Sequence, residues 1–237
     1  MCNINPWTVS RDISQRPVED HYKAAKSVVR QDPHAFFSYY PNFHLNDKQR
    51  YRVLSIIAQA NGRLMTDEIK SIGLKDEWRR YELALKAAKN DGPYVASRFS
   101  DYQIKKAEWV ENVALKAILE NPRSTPKHIR QFPLPDEEFR YKLLKIAVDR
   151  DATKALELVK KFNMTKPEFI FEIAKIKASK DTWNFIFEVP EWNIVQEEWR
   201  EELFSIAASG KYREKAFKEV DSFNLTASLQ NQPVKRL

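Results

Sequence analysis

The side chains that could bind a metal or act as nucleophiles in this sequence include four histidines and one cysteine. The histidines (His21, His34, His44 and His128) form neither a His-Glu-x-x-His nor a His-x-x-x-His pattern, which on a helix would direct two ring nitrogens to one metal ion. Cys2 is the only cysteine, so neither an intrachain disulfide nor a thiolate cluster can form. We therefore predict no metal and no cofactor, and we place His44 and His128 on the surface.

Adjacent glutamates are the pattern closest to an acid–base pair. They are Glu137-Glu138, Glu197-Glu198 and Glu201-Glu202. These pairs fall on the first turns of predicted helices, where unpaired backbone N–H groups favour negative charge whether or not catalysis occurs. The sequence has four glycines, too few for glycine-rich phosphate loops, and it lacks Gly-x-Ser-x-Gly, Walker and dinucleotide-binding motifs. We predict a protein that is not an enzyme.

The elements that position these residues are pairs of amphipathic helices, shown most clearly by residues 134–163. The apolar residues of the first helix share one face and are Phe139, Leu143, Ile146 and Ala147. Asp151 can cap a second, shorter helix that has an apolar side of its own. Because neither helix can bury its face alone, each pair must pack against a neighbouring pair.

Residues of the same kind recur along the chain with a period of about 30. One marker is a bulky residue, a spacer and an aliphatic residue, and successive aliphatic members are 29, 30, 30, 30, 30 and 31 residues apart. These junction pairs are Phe43/Leu45, Ile72/Leu74, Tyr102/Ile104, Phe132/Leu134, Phe162/Met164, Trp192/Ile194 and Phe223/Leu225. Such self-similarity is typical of repeat architectures, in which each unit buries its apolar face against the next.

Two further markers keep the same phase. An Asp or Asn that can cap the second helix occurs at Asp32, Asn61, Asp91, Asn121, Asp151 and Asp181. An alanine that would let two helix backbones approach closely occurs at Ala58, Ala87, Ala117, Ala147 and Ala207, and Lys177 replaces it in the remaining repeat. Aromatic residues five positions after junctions (Trp109, Phe139, Phe169 and Trp199) are predicted to pack in the core rather than to form a base-stacking platform.

The markers together predict an all-α fold, an α-solenoid of about seven two-helix repeats with a 30-residue period. We predict an N-terminal cap or extension over residues 1–14, a single solenoid domain over residues 15–224 and a C-terminal tail over residues 225–237.

Two stretches at the start of repeats carry a resemblance to a known family. They are Leu74-Lys75-Asp76-Glu77-Trp78-Arg79 and Leu134-Pro135-Asp136-Glu137-Glu138-Phe139-Arg140, in which an aliphatic residue precedes acids and an arginine. Followed by a Leu/Ile-Ala face, this pattern resembles short HEAT-type α-solenoid repeats, over 210 of the 237 residues. The period is shorter than the 34 residues of tetratricopeptide and the 33 of ankyrin repeats. The resemblance implies binding along an extended concave surface and transfers no catalytic residue.

The net charge of +7 lies entirely in the N-terminal half. Residues 1–133 carry 22 Lys/Arg and 15 Asp/Glu, whereas residues 134–237 carry 18 of each. Near the ends of the predicted second helices the basic residues are Lys70, Arg98, Lys127, Arg130, Lys160 and Lys161. We predict that these six residues, the basic stripe, bind a partner, although long basic side chains also cover ordinary solvated faces.

Two functions of different classes follow from these features. The first is a non-enzymatic scaffold that holds a protein partner, either a peptide or a helical one and of acidic character at the basic half, on the concave face. The alternative is RNA or single-stranded nucleic-acid binding through the basic stripe, which would favour basic residues in every repeat and exposed aromatic rings. No basic segment followed by an apolar run opens the chain, and no apolar run approaches 20 residues. We expect a cytoplasmic monomer that does not bind membranes.

Overall fold

The computed structural model describes residues 5–225, and within them the regular secondary structure is entirely helical. The α-helices are α1 (Pro6–Arg11), α2 (Val18–Gln31), α3 (Pro33–Ser38), α4 (Asp47–Ala60), α5 (Gly62–Ile72), α6 (Glu77–Ser97), α7 (Ala107–Glu120), α8 (Glu137–Arg150), α9 (Ala155–Lys161), α10 (Pro167–Lys180), α11 (Thr182–Glu188), α12 (Glu197–Ser209) and α13 (Arg213–Lys218). Short 3-10 segments lie at Ile13–Gln15, Tyr40–Asn42, Phe99–Tyr102, Thr125–Gln131, Ala152–Lys154, Val189–Trp192 and Val220–Phe223. The predicted all-α class is confirmed for this part of the chain.

The chain divides into two compact units, Met1–Pro133 and Leu134–Leu237. Helices α1–α7 belong to the first unit and α8–α13 to the second. The single domain over residues 15–224 stays a prediction. All of the predicted tail except Leu225, and residues 1–4 of the predicted cap, lie outside the described residues.

The predicted capping residues perform that role in five of six repeats. Their side-chain oxygens accept backbone N–H groups two or three residues further on, at Asp32, Asn61, Asp91, Asn121 and Asp151. Asp91 also breaks α6, since its φ of −144° and ψ of 70° are not helical, and a first and a second helix therefore meet there. The predicted alternation of longer and shorter helical segments is thus confirmed at this position.

One repeat departs from the predicted pair of α-helices. Its second helix is the 3-10 segment Thr125–Gln131, preceded by a turn at residues 122–124. The Thr125 N–H donates to the Asn121 carbonyl at 3.1 Å, but Pro126 has no N–H to donate to the carbonyl of residue 122, so the next α-helical hydrogen bond cannot form. The hydroxyl of Thr125 instead donates to the carbonyl oxygen of Ala117 at 2.9 Å.

The junction pairs are buried as predicted. Both members are at most 8% exposed in every pair, apart from Ile194, which is half-buried. The recurrent alanines are also buried, and the backbone at Ala87 and Ala117 approaches a glycine of the preceding repeat. A Cβ added to Gly62 would lie 2.3 Å from the Ala87 carbonyl oxygen, and one added to Gly92 would lie 2.6 Å from that of Ala117. The predicted close approach of helix backbones is confirmed at these two places.

Helix α1 packs against α2 and α3 within the first unit. Val9 and Ile13 are buried there, and the indole N–H of Trp7 donates to Asp32 at 2.7 Å. None of the helices within residues 5–225 is both long enough and apolar enough to cross a membrane.

Candidate functional site

In the first unit, part of the predicted basic stripe is neutralised. Lys70, Lys127 and Arg130 are exposed. The guanidinium of Arg98 lies 2.6 Å from Asp67 and 2.8 Å from Asp101, in two ion pairs. A phosphate at Arg98 would therefore have to displace two carboxylates.

The two members of the stripe in the second unit are also in ion pairs. Lys160 lies 3.8 Å from Glu191, and Lys161 lies 2.6 Å from Glu157. Pairs this exposed are weak and can exchange partners. The use of these six residues by a partner stays a prediction.

Sequence reasoning did not anticipate that two arginines tie the backbone carbonyls at the start of a repeat to those at its end. Arg80 donates to the carbonyls of Leu74 and Lys75 at the start of its own repeat and to those of Tyr102 and Gln103 at the next junction. Arg140 makes the same four contacts 60 residues further on, to Leu134, Pro135, Phe162 and Asn163. Five N–H donors in a rigid fork suit arginine to this task.

A glutamate three residues before each of these arginines acts on the same loop. Glu77 accepts the backbone N–H of Lys105 at 2.7 Å and of Lys106 at 3.0 Å. Glu137 accepts the N–H of Lys166 at 2.9 Å and also that of Thr165. We call the pairs Glu77/Arg80 and Glu137/Arg140 the loop clamp. The recurrence of Glu-x-x-Arg 60 residues apart was the available sequence signal.

The clamp lowers the pKa of both glutamates. For Glu77 the backbone N–H of Lys105 makes the largest contribution and that of Lys106 the next; both stabilise the charged carboxylate and lower its pKa. For Glu137 desolvation by burial works in the opposite direction, and the N–H groups of Thr165 and Lys166 outweigh it, so its pKa is also lowered. The interpretation of Glu137 as a helix-dipole residue is therefore incomplete, because its carboxylate binds the loop of the next repeat.

The repeat that opens at Met164 lacks the clamp, and a groove lies at this place. Pro167 and Ile170 occupy the positions of Glu137 and Arg140, and both line a groove of about 370 Å³. Its other walls come from the end of the preceding helix and from the next junction loop, and include Leu156, Val159, Met164, Trp192, Val195 and Trp199. The lining is mainly apolar, and Val195 is 80% exposed.

A second feature of this unit is an exposed aromatic patch. Trp183 and Phe187, one turn apart on α11, are 45% and 51% exposed, and Trp183 contacts the ring of Tyr212 with centroids 5.4 Å apart. The ammonium of Lys215 lies 4.6 Å from the Phe187 centroid and 5.9 Å from that of Trp183. We call these three aromatic residues the aromatic patch.

The aromatics that follow the junctions by five residues are half-buried, so their predicted place in the core is wrong. Three of them stack with nearly parallel planes on a ring of the preceding repeat, as the pairs Tyr81/Trp109, Tyr141/Phe169 and Phe171/Trp199. Ammonium groups cover some of the remaining faces, such as Lys106 at 4.7 Å from the Trp109 ring and Lys166 at 5.0 Å from that of Phe169. The rings lie at the edge of the apolar face rather than at its centre.

The exception among the recurrent alanines, Lys177, is a fully buried lysine. Its ammonium donates to the Thr153 carbonyl oxygen at 2.9 Å and to Asp181 at 2.6 Å, and it lies 3.4 Å from Glu188. Two carboxylates and a carbonyl thus surround a charge that burial alone would strongly disfavour. Asp181, which binds this lysine, is the marker residue whose side chain caps no backbone N–H.

The histidines form a local contact. The rings of His21 and His44 stack with centroids 5.3 Å apart, and Nδ1 of His21 accepts the backbone N–H of His44, which leaves Nε2 to donate to the Arg16 carbonyl. His44 is exposed as predicted, while His128 is half-buried. No group of three or more His, Cys, Asp or Glu side chains within residues 5–225 could hold a metal ion.

Comparison of the chain with protein-family models, with curated proteins and with solved structures gives no match. Its surfaces must therefore be interpreted from their own geometry and chemistry.

Proposed function

We propose that this chain is a HEAT-like α-solenoid of about seven two-helix repeats that acts as a binding scaffold for a protein partner and catalyses no reaction. The loop clamp supports the architectural part of the proposal. Arg80 and Arg140 each bond the carbonyls that open and close their own repeat, and Glu77 and Glu137 bind the N–H groups that open the next one, so consecutive repeats are joined by the same contacts. A repeated junction of this kind is what a stacked array requires.

The aromatic patch carries the functional part of the proposal. In other repeats the positions two and six residues after the capping marker hold polar, charged or small residues. They are His34/Ser38, Arg63/Asp67, Pro93/Ser97, Arg123/Lys127 and Thr153/Glu157, against Trp183/Phe187 in the patch. Exposed aromatic rings in contact with each other mark protein interaction surfaces, where Trp, Tyr and Phe are enriched.

Nucleic-acid binding is the second candidate, favoured by the basic surplus before Leu134 and by the cation-covered rings. Stacking platforms, however, need ring faces that bases can reach. The face of Trp109 toward Tyr81 is occupied by that ring, and Lys106 lies over the indole. Arg98 is engaged by two carboxylates as well. These contacts count against base stacking at Trp109 and against phosphate binding at Arg98.

The test replaces the patch with the pair found in a neighbouring repeat, Trp183→Thr and Phe187→Glu, as in Thr153/Glu157. The matched control is Trp78→Thr, because Trp78 is 48% exposed and lies in the first unit. We expect the wild type and the control to retain proteins from a nuclease-treated native lysate, and the patch variant to lose them. Equal retention by all three chains would contradict the role of the patch.

Binding of a labelled single-stranded RNA, measured in parallel, separates the two candidates. For a protein scaffold we expect no saturable RNA binding at roughly 200 mM salt. RNA binding that falls steeply between about 50 and 200 mM salt, and that is weakened by charge reversal of Lys70 and Lys127, would support the second candidate instead.

A further inference from the structure

We propose that the groove lined by Pro167 and Ile170 binds an extended peptide segment of basic character, which inserts one large apolar side chain. The inference rests on the proposed function and specifies the chemistry of one partner segment. It starts from the absence of the loop clamp in the repeat that opens at Met164.

The missing clamp leaves room for a groove here, although the repeat with Ala107 and Val110 at the same positions also lacks the clamp. Where Glu137 and Arg140 bond the next junction loop, the repeat that opens at Met164 has Pro167 and Ile170, whose side chains cannot form hydrogen bonds to the loop at residues 194–196. An apolar cavity of about 150 Å³ can already hold a benzene ring. The groove volume of about 370 Å³ therefore accommodates a leucine, phenylalanine or methionine side chain together with part of its backbone.

The junction loop also offers hydrogen-bond donors that the clamp would otherwise occupy. The N–H groups of Val195 and Gln196 correspond to those of Thr165 and Lys166, which Glu137 binds. Among residues 5–225, neither N–H has an acceptor. Trp192, another residue of the groove wall, is 3% exposed, and its indole N–H has no partner in the same range. A bound segment would have to supply acceptors as well as an apolar side chain.

The form of the segment follows from these donors. Helices use nearly all their carbonyl oxygens internally, whereas an extended segment presents free carbonyls next to its side chains. Two successive N–H groups beside an apolar groove therefore suit an extended peptide whose backbone carbonyl takes the place of the Glu137 carboxylate.

The charge around the groove selects a basic segment over an acidic one. Residues 188–202 contain six glutamates and one arginine. Three of these glutamates pair with lysines: Glu191 with Lys160 in the groove wall, Glu188 with Lys177 and Glu202 with Lys175. At the clamped loops the carboxylate meets Lys105, Lys106 or Lys166, whereas here Val195 and Gln196 are followed by Glu197 and Glu198. A ligand carboxylate would be repelled by these acids, while a neutral carbonyl flanked by lysine or arginine is attracted.

The experiment restores the clamp. The double variant Pro167→Glu/Ile170→Arg places the residues of Glu137/Arg140 in the groove, and the matched control Pro167→Ala/Ile170→Val uses those of Ala107/Val110 in another repeat. The probes are three labelled peptides of about ten residues: one with a central phenylalanine flanked by lysines, one with glutamates in place of the lysines, and one basic peptide with serine in place of the phenylalanine. Binding is followed by fluorescence anisotropy and by amide chemical shifts.

We expect the basic phenylalanine peptide to bind the wild type and the control, and to bind the clamp variant roughly tenfold or more weakly. The amide signals of Val195 and Gln196 should shift on binding, and in the clamp variant these amides should exchange more slowly without peptide, which shows that it is folded and that the clamp has formed.

The inference is overturned if the clamp variant binds the basic phenylalanine peptide as tightly as the wild type does, or if the wild type binds no peptide. It is also overturned if the acidic or serine peptide binds as tightly as the basic phenylalanine peptide, or if the amide signals of Val195 and Gln196 do not shift. If the wild type still retains protein partners through the aromatic patch, the groove inference fails while the proposed function stands. If no protein partner is retained by any chain, the proposed function fails independently.

Discussion

Nε of Arg140 donates a hydrogen bond of 2.9 Å to the carbonyl oxygen of Phe162, the residue that closes the same repeat. Arg80 makes the equivalent bond to Tyr102 at 2.8 Å. The contact ties the start of a first helix to the loop that leads into the next one. The half-buried side chain of Arg140 thereby donates hydrogen bonds to carbonyl oxygens that would otherwise lack a donor at the ends of short helical segments.

Replacing Arg140 by lysine should destabilise the protein, because an ammonium group cannot reach four carbonyls at once. We expect the free energy of unfolding to fall by about 1–3 kcal/mol, measured by urea denaturation. Arg200→Lys is the control: within residues 5–225 Arg200 bonds only Ile194 and Val195, and its Nε has no partner there. A loss for Arg200→Lys as large as that for Arg140→Lys would contradict the importance of the bonds to Phe162 and Asn163.

Glu137→Gln should reduce stability at neutral pH and have little effect in acid. The pKa of Glu137 is lowered in the folded state, so its carboxylate binds protons less readily there than in the unfolded chain. Its contribution is therefore complete above the unfolded pKa of about 4.3 and is lost as the pH falls through the lower folded value. We expect a difference of about 1 kcal/mol at pH 7 that disappears toward pH 3, from urea titrations at each pH.

Glu138→Gln provides the reference for that titration, since Glu138 is exposed and its partner is Lys142 at 3.8 Å. Its stability difference from the wild type should stay small at every pH. A difference for Glu137→Gln that grows as the pH falls would have the wrong sign for the clamp.

Lys177→Met should destabilise the second unit, because the change removes the only cation close to Asp181 and Glu188 within the described residues. These carboxylates keep some access to water, with exposures of 16% and 29%, so we expect about 1–3 kcal/mol rather than the larger loss of a fully buried pair. Adding Asp181→Asn, the residue type of Asn61 and Asn121, should recover part of the loss. Additive effects in this double-mutant cycle would exclude the coupling.

Gly62→Ala should be destabilising by about 1–3 kcal/mol, because the new Cβ would lie 2.3 Å from the Ala87 carbonyl oxygen and the backbones would have to separate. Gly210→Ala is the matched change at an open position, with no heavy atom within 4 Å of the added Cβ. Thermal unfolding should show a clear decrease for the first variant and a change within about 0.5 kcal/mol for the second. Equal melting temperatures would mean that the repeats tolerate wider spacing there.

The sequence was most informative where the requirement was local. The capping role of Asn61 and Asp151 depends on N–H groups two or three residues away, and the burial of Phe132 and Phe162 follows from apolar periodicity. Such features need no knowledge of what lies opposite. The all-helical class could be predicted from them alone.

The place of Trp109 and Phe169 could not be predicted in the same way. A helical period assigns a residue to the apolar side, but it does not separate the centre of that side from its edge. That distinction depends on how far the next helix extends over the ring, and here the rings remain half-buried.

The sequence alone determined that the protein is helical, that its helices repeat with a period of 30 residues and that particular residues cap them, because these properties arise from contacts a few residues apart or from periodicity. Only the tertiary structure decided that Glu137 and Arg140 bind the junction loop that leads into the next repeat, and that Pro167 and Ile170 line a groove where that clamp is missing. The physical reason is that a long polar side chain satisfies whichever backbone groups lie within its reach, and the packing of neighbouring repeats decides which groups those are.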